Sequence, residues 1–452
     1  MNRRSFLKGS LLAGVAAKAA MPRNILAAEA PVNTMLGFRA PALPKIRIGY
    51  IGLGNRGPVH FYTMVKAIPW TEMRALCDIR KSQVDWRCDW VAKQKNQNFR
   101  PDGYSGSEDI WKKVCERDDI DMIYICTPWL LHAEMAIYAM KCGKHVAIEV
   151  PAAVTIEECW ELVKTSEATR KHCIMLENCC YGENEMFMNS LCHHGVLGDV
   201  VHGECGYIHD LVFSKLNEGK GGYYKRWRLD YTRKHDGNAY PTHGLGPIAW
   251  MMDINHGDQF RVLTSLSSDV FRMPQYASKM FSKGRPEREK SYYKQGDVNT
   301  ALIKTHRGRT IMVQHDTTLP QPYSRINSIR GTLGTVMDFP FRMALCPKSH
   351  GWMKDEDINK LKEKYMPELW KQKGEYAKKN GGHGGMDYLM NYDILTRLRD
   401  GAPMLMDCYD AASWSCLMEL TEKSTLADGA PIQVPDFTRG HWKTQKSLFQ
   451  EG

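Results

Sequence analysis

Three short stretches hold residue types that can do chemistry. Glu149-Val150-Pro151 places a carboxylate directly after the apolar run Val146-Ala147-Ile148, and Pro151 stops the strand pattern there. Tyr240-Pro241-Thr242-His243 sets a phenol and an imidazole three residues apart, so both can face one pocket if the stretch opens a helical turn. Carboxylates, phenols and imidazoles move protons. An unperturbed histidine, with a pKa of about 6.5, does so near neutral pH. The third stretch, Gly52-Leu53-Gly54-Asn55-Arg56-Gly57, is a G-x-G-x-x-G pattern. Between a strand and a helix, such glycines permit a tight turn and bring dinucleotide phosphates against backbone N–H groups.

The flanking residues supply that context. Ile46, Ile48, Tyr50 and Ile51 form a strand before the glycines, and the residues after Gly57 can form a helix. The next strand, MRALCD, ends on Asp78, where a carboxylate takes the ribose hydroxyls of NAD and repels the extra phosphate of NADP, with Arg80 close by. A strand over Met122–Cys126, a turn at Thr127-Pro128, a helix over Ala133–Met140 and the strand ending at Glu149 follow. This alternation predicts a Rossmann-type, doubly wound parallel sheet. Ligands of such sheets bind beyond the carboxyl ends of the strands. Glu149 and Val150 should therefore face the nicotinamide half of the cleft, Trp129 and His132 its ribose, and Asn178, just after a strand, the cofactor as well.

Further strand patterns, VVHGECGYIHDLV, FRVLTSLSSDV, NTALIKTH, TIMVQHDTT and INSIRGTLGTVMDF, predict a second α/β domain with an open mixed, mostly antiparallel sheet. Two helical stretches, MDYLMNYDILTRLRDG and DAASWSCLMELTEKSTLADG, close the chain and are expected to pack partly on the first domain. The expected domains are 45–165 and 166–440. The polar, strand-poor segment 272–296 is expected as a long loop or an arm against a partner subunit. His193, His194 and His209 lack any special setting, and Gly-rich 378–388 can bring His383 near the site.

Composition narrows the function classes. The 452 residues carry a formal net charge of +10, which falls to +6 without residues 1–30, and no long charge run is present; this argues against nucleic-acid binding. Residues 1–30 contain a twin arginine, Ser-Phe-Leu-Lys and a weakly apolar Gly/Ala run, the pattern of a twin-arginine export signal, so a periplasmic or extracellular location is expected. That run is shorter than the roughly 20 residues of a membrane span, and no other stretch suits one. A chain folded before export forms its core in a reducing cytosol, so its fourteen cysteines are expected mostly free and buried. None has C-x-x-C spacing, and no metal site is expected.

The fingerprint, CTPWLLHAEMAIYAMKCGKHV and the strand closing on Glu-x-Pro resemble the Gfo/Idh/MocA sugar oxidoreductases over nearly all of the mature chain. Two departures stand out. Those dehydrogenases carry Glu-Lys-Pro, whose lysine helps shuttle the hydroxyl proton, where this chain has Val150. They carry an Asp-x-Gly-x-x-x-His-type stretch where this chain has YPTHGLGP. EVP, ENCCYGENE, NAYPTHGLGP, PYSRINSIRGTLG and HGGMDY together resemble glycoside hydrolase family 109. That resemblance implies an NAD-dependent α-N-acetylgalactosaminidase acting on terminal N-acetylgalactosamine of glycans; a homo-oligomer is expected as well. It implies oxidation at C3, removal of the C2 proton, elimination at C1, addition of water and return of the hydride. It places Glu149, Tyr181, Tyr240, His243 and Tyr323 around nicotinamide and sugar. Tyr207 and Arg228 are candidates to bind sugar hydroxyls or the acetamido group, and Pro241 and Thr242 are expected on the substrate side. Either His243 or Tyr240 can take the C2 proton. A periplasmic NAD(P)-dependent sugar dehydrogenase is the alternative, opposed by Val150. A non-catalytic sugar-binding protein is a third reading, opposed by Glu149, Tyr240 and His243.

Overall fold

The computed structural model describes residues 33–97, 99–348 and 350–449. The expected export signal over 1–30 lies outside the described residues. Six strands, β1 (Ile46–Ile51), β2 (Thr71–Cys77), β3 (Asp102–Tyr104), β4 (Met122–Ile125), β5 (His145–Ile148) and β6 (Cys173–Met175), pair in parallel in the order β3-β2-β1-β4-β5-β6. Their central members are apolar on both faces because helices cover both sides; β4 and β5 are buried at every residue. Inside, Tyr50 of β1 stacks on Tyr124 of β4, and its hydroxyl donates to the Gly57 carbonyl at 2.7 Å. The phosphate-loop turn is thus pinned to the strand before it. The sheet takes its sixth strand from beyond residue 165, the expected domain limit, because Cys173–Met175 pairs with β5.

The second sheet contains β7 (Val200–Ile208), β8 (Phe260–Ser267), β9 (Val298–Thr305), β10 (Thr310–Asp316), β11 (Ser328–Gly331), β12 (Gly334–Met337), β13 (Arg342–Leu345) and β14 (Ile432–Gln433). Their order is β13-β12-β11-β7-β10-β9-β8-β14. The β7–β10 pair is parallel and the other pairs are antiparallel, so the sheet is mixed and mostly antiparallel. The fold class expected from the residue patterns is the one observed.

The helix Thr242–Met251 lies on β7 at unusually close range. A Cβ on Gly244 would stand 2.5 Å from the Gly206 nitrogen, and one on Gly203 would stand 2.6 Å from Ile248 Cγ2. Glycine on both elements permits this approach, which carries His243, on the first turn, to its place in the site. The helix Met386–Asp400 lies against the helix Gly57–Ala67 of the first domain.

The segment 272–296 is not wholly the loop expected from its polarity. It holds the helix Arg272–Met280, and its Met273, Ala277 and Tyr293 form a small apolar core with Val212, Leu216 and Leu229. Its few apolar residues were sufficient because a neighbouring segment completes the cluster. Among the described residues no helix is long and apolar enough to cross a membrane. All fourteen cysteines are free, and most are buried.

The glycine contact yields a direct test. Gly244→Ala should destabilise the protein by about 1–3 kcal/mol, the usual cost of overpacking, and slow turnover by displacing His243. Calorimetry with steady-state kinetics checks this; a parental melting temperature and rate would show that the helix can retreat freely.

Candidate active site

Two adjoining cavities lie beyond the carboxyl ends of the first sheet's strands. A cleft of about 410 Å³ is lined by Gly52, Gly54, Asn55, Arg56, Asp78 and Arg80. A chamber of about 550 Å³ is lined by Glu149, Trp129, Arg228, Tyr240 and His243, among others. Arg56, Cys126, Thr127, Tyr223 and Trp227 line both, so they share walls.

The cleft fits a dinucleotide. Gly52 has φ +95°, and a Cβ there would reach 2.4 Å from the Cys126 carbonyl oxygen. A Cβ on Gly57 would come 2.2 Å from the Gly52 oxygen, so the third glycine allows the helix to start against the turn. Beside Gly54 the nearest atom is Arg80 Nη2 at 3.7 Å, which leaves backbone open to a phosphate. Asp78 accepts from the Leu53 and Arg80 N–H groups, each at 2.9 Å, and from the Arg80 guanidinium. Burial alone would raise its pKa, but Arg80 and these backbone donors hold it below the usual value, so it remains an anion.

A strap from the second domain crosses this cleft. Gly222 accepts from Asn55 Nδ2 at 3.3 Å, and the Arg80 guanidinium lies 4.9 Å from the centre of the Tyr224 ring. Tyr223, Tyr224, Lys225 and Trp227 all line the cleft.

Glu149 is fixed by an extended buried network. Its Oε1 accepts from Arg56 Nε at 2.8 Å and from His60 Nε2 at 2.6 Å. Asn391 donates to His60 Nδ1 at 2.9 Å, which assigns the His60 proton to Nε2, and Tyr124 donates to Asn391 Oδ1 at 3.1 Å. The other arm of Arg56 reaches Asp387 Oδ1 at 2.8 Å; Asn178 donates to the same oxygen, and His383 lies 2.6 Å from Oδ2. Burial would raise the Glu149 pKa, yet Arg56 and His60 bring it down to about 2. Asp387 is likewise lowered by Arg56 and His383 against the effect of burial. These contacts favour the carboxylate form of Glu149 near neutral pH.

Across the chamber, His243 Nδ1 lies 2.7 Å from Glu177 Oε1, while Nε2 points toward the Tyr240 hydroxyl 3.5 Å away. Tyr240 stacks on Trp129, with ring centres 5.6 Å apart. Burial, then the neighbouring Tyr207 and Glu149, push the Tyr240 pKa well above its ordinary value, so this phenol keeps its proton. Arg228 is 5% exposed, and among the described residues no carboxylate pairs with it. Aromatic faces surround it instead: its guanidinium lies 4.8 Å from the ring centres of both Trp129 and Tyr240. Nη1 donates to the Tyr223 hydroxyl at 3.0 Å, and Nη2 is buried without a partner. Tyr207 and Tyr323 also line the chamber, Tyr323 at its rim.

Several expectations require correction. Tyr181 lines neither cavity: its hydroxyl donates to Asp393 at 2.9 Å, its ring packs edge-on to Trp250, and the turn Asn178–Tyr181 sends Asn178 and Cys179 to the chamber instead. Pro241 and Thr242 line neither cavity and form the start of the His243 helix. His132 lines the chamber, but both ring nitrogens lie 2.7 Å from backbone carbonyls, of Pro151 and Thr127, so it ties strand ends together. His209, expected to be ordinary, lines the chamber 3.2 Å from the Tyr207 hydroxyl. Glu177 and Asp387 lie within ENCCYGENE and HGGMDY, but neither they nor His60 were singled out, since each acts through a partner about 65 to 330 residues away. The fold also brings ligand-type atoms of Glu177, Cys179 and His243, and of His256, Asp407 and Asp410, within 4.8 Å of one another, groupings that cysteine spacing does not reveal.

Comparison with known proteins agrees with this geometry. The model for the oxidoreductase family, NAD-binding Rossmann fold, matches residues 46–177, and that for the glycosyl hydrolase 109 C-terminal domain matches residues 181–444. Levoglucosan dehydrogenase, solved with NADH and L-sorbose, superposes with a TM-score of 0.66 at 16% identity, covering 87% of this chain and 100% of its own; that likeness is one of fold. Fold and cleft define a protein with an NAD-binding Rossmann domain and an appended sheet domain. An alpha-N-acetylgalactosaminidase of Bacteroides fragilis is 43% identical over 411 residues, covering 90% of this chain and 96% of its own length. A glycosyl hydrolase family 109 protein of Solibacter usitatus is 42% identical over 452 residues, covering 99% of each chain. The chain belongs to glycosyl hydrolase family 109.

The strap carries its own expectation. Tyr224→Ala removes the cation–π contact that ties the strap to Arg80, along with one to neighbouring Lys225; the Arg80 contact is worth about 0.5–1 kcal/mol at an exposed site, and its loss should speed exchange of bound for labelled NAD by about 2- to 5-fold. Filter-binding exchange measures it; an unchanged rate would show that the strap does not retain the cofactor.

Proposed function

We propose that this chain is an NAD-dependent α-N-acetylgalactosaminidase that hydrolyses terminal N-acetylgalactosamine by a redox-neutral route. One observation carries the reading. Among the described residues Glu149 is the sole carboxylate lining the chamber, and Arg56 and His60 hold it. Conventional glycosidases place two carboxyl groups about 5–9.5 Å apart across the scissile bond. That pair is missing, whereas a dinucleotide cleft adjoins the chamber. The B. fragilis relative supports the choice of sugar.

Gly52, Gly54, Asn55, Arg56 and Asp78 would hold the dinucleotide, with Glu149, Val150 and Asn178 toward its nicotinamide. The bound nicotinamide supplies reversible hydride acceptance at C3 of the sugar, so that no net oxidation accompanies hydrolysis. Asp78, an anion in the cleft, favours NAD over NADP. A C3 ketone makes the C2 hydrogen acidic, and His243 Nε2 is the base suited to remove it, because Nδ1 is committed to Glu177. Tyr240 keeps its proton and so acts as a donor to a sugar oxygen, which favours His243 over Tyr240 as the base. The C3 hydroxyl proton passes to solvent as the ketone forms and is regained when the hydride returns. Loss of the C2 proton expels the C1 oxygen substituent, which takes a proton from solvent, and water then adds at C1, releasing one proton, while C2 is reprotonated from solvent. The unpartnered Arg228 Nη2 donates to a hydroxyl or the acetamido oxygen, and Tyr207 and Tyr323 bound the sugar. Val150, with no proton to move, suits a site that returns its hydride each turnover.

Twin-arginine export to the periplasm or beyond remains part of the proposal. The free cysteines support folding in a reducing compartment before export. Assembly with a second copy is supported by exposed Val201, Leu266 and Leu302 on the eight-stranded sheet.

Hydrolysis of a nitrophenyl α-N-acetylgalactosaminide in D₂O, without added NAD, tests the reading. Product should carry deuterium at C2 and none at C3, and His243→Ala should slow release about 10²–10⁴-fold. Ordinary hydrogen at C2 would exclude the elimination route.

A further inference from the structure

Glu177 lies two residues beyond β6, and the fold has buried it completely. Its two oxygens have different surroundings. Oε1 accepts from His243 Nδ1 at 2.7 Å and from the Cys179 N–H at 3.1 Å, while Oε2 is buried with no partner. Among the described residues His243 is the one basic group within ion-pair distance of it. An isolated buried carboxylate is costly, so something must compensate Glu177, and the imidazole is in place to do so.

His243 has the complementary problem. It sits on the first turn of the helix Thr242–Met251, where the helix dipole presents positive charge and opposes a cation. An imidazole that takes a proton there needs a nearby anion. The other groups around it supply none: Tyr207 and Tyr240 are neutral phenols with raised pKa values, the Cys179 thiol is pushed well up by burial, and the pKa of His209 is lowered by burial.

Resting on the glycosidase reading, we propose that Glu177 is the positioning residue of His243. It holds the proton on Nδ1, leaves the Nε2 lone pair facing the chamber, and neutralises the imidazolium formed when Nε2 takes the sugar's C2 proton. It does not touch the substrate, because it does not line the chamber. The proton that Nε2 takes exchanges with solvent, and a solvent proton is delivered to C2 later in the turnover, so Glu177 itself exchanges none.

A double-mutant cycle on the NAD-loaded protein tests this with the nitrophenyl substrate. Glu177→Gln keeps the shape and removes the charge. It should lower kcat by up to about 10⁴-fold, by analogy with the change of the carboxylate behind a catalytic histidine to an amide, with KM changed by no more than a few-fold. The acid limb of kcat/KM should move to lower pH, and Glu177→Asp should recover part of the rate. In a His243→Ala background, Glu177→Gln should cost nothing more. Additive losses, an unmoved pH limb, or inactivation by dialysis against EDTA would overturn the proposal, the last because the pair would then be serving a metal. Proton NMR supplies a readout independent of activity. The deshielded Nδ1–H resonance that disappears in His243→Ala should shift in Glu177→Gln. A wild type that cleaves no glycoside yet shows this resonance and its shift would fail the glycosidase reading and leave the positioning role intact. An unshifted resonance in an active enzyme would do the reverse.

Discussion

The site depends on one buried guanidinium. Arg56 sits in the phosphate-binding turn, pairs with Glu149 at the end of β5 and reaches Asp387 on the helix Met386–Asp400. Three segments about 90 to 330 residues apart in sequence are thereby joined at one cation. The balance of charge explains why all three are needed. Arg56 does most to hold the two buried carboxylates as anions against burial, with His60 adding to Glu149 and His383 to Asp387, and Asn178 donates a further hydrogen bond to Asp387. Removing one member of such a buried set usually costs about 3–5 kcal/mol, because the others are left uncompensated.

On the proposed reading, proton transfer falls to groups across the chamber from Glu149, and those are arranged in the opposite way. His243 has one nitrogen fixed and one free, Tyr240 keeps its proton, and Arg228 is held by aromatic faces so that one nitrogen stays unpartnered. A carboxylate beside Arg228 would have satisfied it and closed it to a ligand. Aromatic rings stabilise its charge less completely, leaving it available to a neutral sugar. Close packing of glycines between the His243 helix and β7 sets the distance across the chamber. An extra methyl group in that contact would reach the chemistry although it touches no ligand.

Local patterns were sufficient wherever one segment completes its own environment. The glycine turn between β1 and its helix, Asp78 at the end of β2, the alternation of strands and helices, and Tyr240 and His243 three apart were all legible before any fold was known. Legibility failed where a side chain's direction depends on a distant neighbour. Tyr181 sits in a motif that otherwise serves the chamber, yet Asp393 and Trp250 turn it into the core. The segment 272–296 reads as loop because half of its apolar core is supplied by residues 212–229.

By itself, then, the sequence determined the α/β architecture with its two sheets, the dinucleotide fingerprint and the absence of a proton-carrying residue at Val150, and it set Tyr240 and His243 three residues apart. These follow from short-range periodicity and turn stereochemistry, which a few consecutive residues encode. Tertiary structure alone decided that Glu149 is favoured as a carboxylate, that Glu177 stands behind His243, that His209 faces the chamber while Tyr181 does not, and that a strap crosses the cofactor cleft. The reason is physical. The charge state and orientation of a buried polar group are set by whichever partners desolvation forces it to find, and in this chain those partners arrive from the far side of the sequence.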